Sequence, residues 1–194
     1  MNILILYSTV DGHTQHICEH IKHFLESHAV ESQANMTITM MALDAFYETR
    51  GEQDKVASQL GEFDMLIFGA SIRYGKHRPQ VSEFIKQHKD TLARLKTGFF
   101  SVNLVARKPE KNTPETNSYI KKLLEQTDWQ PDVVAVFAGK LDYGIYRYVD
   151  KQMIKFIMWM TKGPTHSDKP IVFTDYARVD AFCEQMLALT TKNS

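Results

Sequence analysis

The sequence predicts an α/β fold: a doubly wound, five-stranded parallel sheet with helices on both faces. Three observations carry this expectation. Five short, nearly continuous apolar runs punctuate the chain, as strands buried on both faces require. Segments with apolar residues at helical spacing lie between them, which calls for parallel strands joined by helices. The alternation holds throughout except in one stretch, 139–170, where a short loop would suffice.

The elements follow in order. Asn2–Tyr7 is the first strand, and His13–His28 is a helix with Ile17, Ile21, Phe24 and Leu25 on one side. Met36–Leu43 is the second strand, followed by a polar, acidic short helix plus loop over 44–61. Asp64–Ala70 is the third strand. Val81, Phe84, Ile85, Leu92 and Leu95 mark an amphipathic helix over 81–95. Gly98–Leu104 is the fourth strand. Thr113 as N-cap and Pro114 at the first helical position open a helix to Gln126. Val133–Ala138 is the fifth strand. The insertion 139–170 holds a helix over 150–162, and a last helix runs from Asp175 to Thr190, capped by Thr174 or Asp175. With 194 residues and no linker or repeat, residues 1–194 are expected to form a single domain.

Composition narrows the function. The content is 43% hydrophobic and 24% charged, ordinary for a globular chain. Two distant cysteines, Cys18 and Cys183, argue against a disulfide framework and fit a reducing cytosol. They read as small core residues. No secretory leader is visible, and no apolar run approaches the ~20 residues of a membrane span. The eight histidines form no evident metal set, so no metal is expected, nor is a nucleic-acid partner. The zero net charge hides a partition. Residues 1–64 carry 3 Lys/Arg against 10 Asp/Glu, whereas residues 65–170 carry 18 against 10. Uneven solvated faces explain this as well as a basic rim for anionic ligands or lipid does.

The chemistry starts at the loop after the first strand: Ser8, Thr9, Val10, Asp11, Gly12, His13 and Thr14. Ligands of open parallel sheets bind beyond the carboxyl ends of the strands. A helix N-terminus there offers free N–H groups and a positive dipole end to a phosphate. Ser8, Thr9 and Thr14 add hydroxyls, Gly12 allows a tight turn, and His13 is a further candidate donor. Neither a Walker loop nor a dinucleotide G-x-G-x-x-G is present. A loop without lysine suits a monophosphate held by neutral donors. Simple helix capping by the same residue types is the competing explanation.

A strand followed by S-T-x-D-G-x-T and a helix resembles the flavodoxin family, whose pattern has Thr where Asp11 stands. That resemblance implies FMN and the strand order 2-1-3-4-5. An acid beside a phosphate is unfavourable unless it points away or caps an N–H. The loops after the third and fourth strands would then wall the isoalloxazine. Ser71, Ile72, Arg73, Tyr74 and Gly75 form one wall, with Tyr74 suited to stacking. Asn103, Leu104, Val105 and Ala106 form the other.

The strings ASIRYG (70–75), SVNLVARKPEK (101–111), TPETNSY (113–119), YRYVDKQMIKFIM (146–158) and VFTD (172–175) sharpen the resemblance. Together they closely resemble the menaquinone-dependent protoporphyrinogen oxidase family of bacteria, flavodoxin-like FMN enzymes. The resemblance implies oxidation of protoporphyrinogen IX to protoporphyrin IX in haem biosynthesis. FMN would pass the electrons to a membrane quinone, menaquinone or ubiquinone.

An apolar macrocycle with two propionates wants aromatic walls and basic anchors. The insertion carries Tyr143, Tyr146, Tyr148, Phe156 and Trp159 beside Lys140, Arg147, Lys151, Lys155 and Lys162. Arg73, Arg107 and Arg147 are the propionate candidates, because a guanidinium binds carboxylate bidentately; Lys108 and Tyr143 join them. The segment 146–162 combines a basic stripe with broad apolar coverage. It reads as an interfacial helix on anionic lipid, or as the buried helix of a compact insertion. The expected location is cytoplasmic, peripheral on the inner face of the cell membrane, with the oligomeric state open. The alternatives are an NAD(P)H:quinone reductase and a flavodoxin-type electron carrier.

Overall fold

A computed structural model describes residues 1–50, 59–144, 148–160 and 163–191. Its main sheet has the spatial order β2-β1-β3-β5-β6, from β1 (Asn2–Ser8), β2 (Thr37–Ala42), β3 (Met65–Arg73), β5 (Lys96–Asn103) and β6 (Val133–Ala138). Every pairing among these five is parallel. Counting only the parallel strands, this is the expected 2-1-3-4-5 order.

The apolar runs explain the sheet. Along β1, Ile3 and Ile5 face one core while Leu4 and Leu6 face the other, and β3 repeats this with Met65 and Ile67 against Leu66 and Phe68. Side chains alternate with period two, so an uninterrupted apolar run fills both cores. One core lies under α1 (His13–Glu31) and α7 (Tyr176–Thr191), through Ile17, Ile21, Val179 and Phe182. The other lies under α2 (Leu43–Arg50), α3 (Pro79–Gln87), α4 (Lys89–Leu92) and α5 (Ser118–Thr127), through Phe46, Phe84, Leu92 and Ile120. Gly69 is fixed by packing. A Cβ there would sit 2.2 Å from the Phe100 ring, so only glycine lets β3 and β5 close over that aromatic.

Three details differ from the sequence expectation. The third strand continues through Ser71–Arg73 and turns back as β4 (Lys76–His77), a hairpin with Tyr74 at φ 51° and Gly75 at φ 76°. Two central residues at positive φ make the turn that suits strand twist, and sequence alternation did not reveal it because Tyr is rare there. The helix over 81–95 is two helices broken at His88. The helix expected from Thr113 starts at Ser118, because Asn117 accepts from Tyr119 N–H and outcompetes Thr113 as the cap. Of the 44–61 segment, α2 is present and residues 51–58 lie outside the described residues.

The insertion leaves β6 through β7 (Lys140–Leu141), forms α6 (Tyr148–Met160) and returns through β8 (Ile171–Val172), antiparallel to β7. Leu141, Tyr143 and Met158 give it a small core of its own.

Candidate functional site

The loop after β1 opens α1 without a side-chain cap. Gly12 occupies the N-cap position at φ 75°, a left-handed conformation that costs glycine little. Capping therefore does not account for the loop's hydroxyls. The Oγ of Ser8 and the Oγ1 atoms of Thr9 and Thr14 are buried with no hydrogen-bond partner. Ser8 and Thr14 are about 2% and 1% exposed. Three orphaned hydroxyls beside a helix N-terminus form a cradle for an anion, since buried polar groups otherwise find partners.

Asp11 beside that cradle is paired with an arginine. Its Oδ1 accepts from Arg73 Nη1 at 2.8 Å. The Arg73 guanidinium also lies 5.2 Å from the centre of the Tyr74 ring. His13 is tied elsewhere too. The Thr174 hydroxyl donates to Ala138 O at 2.7 Å, so its oxygen accepts from His13 Nε2–H, also at 2.7 Å. Burial, then the charge of Lys140, pushes the His13 pKa down to about 4, so the imidazole is neutral at pH 7.

The cradle opens into a cleft of about 920 Å³, counting the open solvent at its mouth. Of the sixteen expected cofactor residues, Thr9, Val10, Asp11, His13, Thr14, Ser71, Ile72, Arg73, Tyr74, Gly75, Asn103, Leu104 and Val105 line it. Ser8, Gly12 and Ala106 do not. Ala106 is turned inward and donates its N–H to Asn103 Oδ1 at 3.1 Å. Asn103 also accepts from Asn117 Nδ2 at 3.3 Å. Its side chain thus fixes the loop from behind and leaves backbone and apolar groups on the wall. His77, whose Nε2 lies 3.0 Å from Ser101 Oγ, is held neutral by burial, with a pKa near 4.

The expected substrate residues are dispersed. Arg73 is on the wall. Arg107 Nη1 donates to Leu104 O at 2.8 Å, and its guanidinium lies where a Cβ on Gly163 would fall. Tyr143 is buried in the insertion and donates to Pro164 O at 2.8 Å. Neither these two nor Lys108 lines the cleft, and Arg147 lies outside the described residues. Sequence reasoning did not place Val102, Tyr119, Gly139, Lys140, Met153 and Ile154 on the wall. Met153 and Ile154 come from α6, so the insertion reaches the cleft. No sequence signal fixed which α6 face does so, because its apolar residues cover most of the circumference.

Residues 4–168 match the flavodoxin domain family. The chain is 40% identical over 99% of its length to a protoporphyrinogen IX dehydrogenase (quinone) of Escherichia coli K12, covering 98% of that protein. The chain belongs to this dehydrogenase family. A protein of the same name from Leishmania major is 40% identical over 96% of this chain and 74% of its own length. Family membership of an oxidoreductase kind, and the fold, agree with the sequence expectation. Among solved structures, an oxidoreductase from Corynebacterium diphtheriae aligns over 100% of this chain and 98% of its own, with TM-score 0.58 and 8% identity. The rubredoxin oxygen:oxidoreductase of Desulfovibrio gigas aligns over 98% of this chain and 36% of its own, with TM-score 0.53 and 12% identity. At such identities these likenesses establish the fold alone. Among the described residues no helix is long and apolar enough to cross a membrane.

Proposed function

We propose that this chain is an FMN-dependent protoporphyrinogen IX dehydrogenase that passes electrons to a membrane quinone. The observation that carries the reading is the continuity of one cleft. It runs from the orphaned hydroxyls of Thr9 and Thr14, at an uncapped helix N-terminus, to an apolar wall supplied by the insertion. The names of the relatives that match end to end support the substrate.

When bound, the isoalloxazine supplies two-electron redox chemistry that the side chains lack. The protein's own groups do the rest. Ser8, Thr9 and Thr14 donate hydroxyls to the phosphate, together with the free N–H groups of α1. The Tyr74 ring, held at the hairpin tip, offers a face for the flavin. Leu104, Val105, Met153 and Ile154 exclude water and supply the apolar surface that a porphyrin macrocycle requires. Among the described residues, Arg73 is the one propionate candidate on the wall, its position set by Asp11.

The quinone lies in a membrane, and α6 is the element suited to reach it. Met153, Phe156 and Trp159 are exposed, with Lys151 and Lys155 half-buried beside them. An apolar ridge beside lysines suits the surface of an anionic bilayer. A peripheral location on the cytoplasmic face fits this reading, since anionic lipid is concentrated in that leaflet.

Anaerobic mixing of the FMN-loaded protein with protoporphyrinogen IX and a menaquinone analogue tests the reading. Porphyrin fluorescence is expected only when quinone is present. Quinone reduction driven by NADH, without porphyrin formation, would replace this activity with that of an NAD(P)H:quinone reductase.

A further inference from the structure

The cofactor loop carries no cation of its own. Asp11 is paired with Arg73 at 2.8 Å, and His13 is neutral and donates to Thr174. A phosphate dianion in the cradle would meet only the partial charges of hydroxyls and N–H groups. Among the described residues lining the cleft, the lysines and arginines are Arg73 and Lys140.

Lys140 comes from outside the flavodoxin-like loops. It is the first residue of β7, two positions beyond Ala138, where β6 ends. Thr174 draws that point to the phosphate helix, bonding Ala138 O and His13 Nε2 with one hydroxyl, each at 2.7 Å. The field of Lys140 is felt at His13, the first residue of α1. The Asp142 carboxylate lies 3.8 Å from the Lys140 ammonium, beyond hydrogen-bond distance. The two form an ion pair without a hydrogen bond, and the Lys140 side chain is only 19% exposed.

We infer that Lys140 supplies the positive charge for the terminal phosphate in the Ser8–Thr14 cradle. The insertion then adds to the loop's preference for a phosphorylated flavin over an unphosphorylated one. This rests on the flavin reading above and adds to it a residue and a selectivity. A charge-assisted contact is stronger than a neutral one, and its loss should be read in the phosphate-dependent part of affinity alone.

The test compares FMN with riboflavin by quenching of flavin fluorescence, for the full chain and for Lys140→Gln and Lys140→Arg. The unaltered chain should bind FMN more tightly. Lys140→Gln should weaken FMN about tenfold or more and leave riboflavin unchanged, with a shallower dependence of FMN affinity on salt. Lys140→Arg should restore most of the preference. Unchanged riboflavin binding shows that the Gln variant is folded. Equal weakening of both flavins, or no change in either, overturns the inference and leaves the flavin reading intact. If the unaltered chain binds FMN no better than riboflavin, the phosphate cradle itself is wrong and both fall.

Discussion

Arg73 Nη1 donates to Asp11 Oδ1 at 2.8 Å, joining the β3–β4 hairpin to the loop that opens α1. The two side chains are 24% and 33% exposed, so the pair is partly shielded from solvent. An acid beside a phosphate site is tolerable here because its charge is turned to a guanidinium.

Breaking the pair from one side should therefore be worse than removing both charges. Arg73→Ala leaves Asp11 uncompensated beside the cradle and should weaken FMN roughly fivefold, about 1 kcal/mol. Adding Asp11→Asn should recover most of that loss. Flavin titrations of both singles and the double give the coupling, and strict additivity would show the pair to be irrelevant to the cofactor.

The orphaned hydroxyls give an opposite sign for stability and binding. Thr14→Val keeps the shape and removes a buried hydroxyl that has no partner in the flavin-free protein. That protein should melt about 2–4 °C higher for each kcal/mol recovered. FMN affinity should drop about tenfold, because the hydroxyl is a phosphate donor. A variant that loses both stability and affinity would make Thr14 a structural residue.

His13 and His77 set an acid limit on stability. Both pKa values are pushed from 6.5 down to about 4, with burial the largest cause. The unfolded chain takes up protons below about pH 6.5, and the native state does not until about pH 4. Stability from these groups is thus complete above pH 6.5 and is lost as pH falls toward 4. Melting temperatures should decline by several degrees across that window. Imidazole NMR signals of both residues should remain those of neutral rings at pH 5.5, and titration near 6.5 would refute the burial argument.

The outer ridge of α6 is tested with vesicles. Phe156 and Trp159 are 57% and 69% exposed, with ring centres 6.0 Å apart. Replacing both by Ser should change the melting temperature little, as surface substitutions usually stay within ±0.5 kcal/mol. Binding to anionic vesicles should fall by at least about tenfold. In the unaltered protein, Trp159 emission should shift to the blue on vesicles while buried Trp129 stays silent. No shift would remove α6 from the membrane surface.

The sheet was legible because a strand buried on both faces leaves an uninterrupted apolar run, as in Ile3–Leu6 and Met65–Phe68. The loop before α1 stood out in the sequence because it sets hydroxyl side chains and a glycine between a strand and a helix, and only the structure shows that none of them caps that helix through its side chain. The β3–β4 hairpin was hidden, since positive φ at Tyr74 is decided by the returning strand and not by propensity. The start of α5 was misplaced for a similar reason. Thr113 and Asn117 are both competent caps, and the tertiary bond from Asn117 Nδ2 to Asn103 selects the second. The basic anchors were the least legible. Charge and position nominated Arg107, yet its guanidinium satisfies a carbonyl three residues away. Lys140 was visible only as one charge in a basic segment. What brings it to the cleft is the contact of Thr174 with both Ala138 and His13, which no local pattern encodes.

That contact also defines the insertion as a cassette. The chain departs at Ala138–Gly139 and comes back at Phe173–Thr174, where Phe173 N–H donates to Gly139 O at 3.1 Å and the Thr174 hydroxyl to Ala138 O at 2.7 Å. Exit and re-entry share one doorway, so everything between can lengthen or shorten without moving a strand of the sheet. The entropy of closing such a loop grows only slowly with its length.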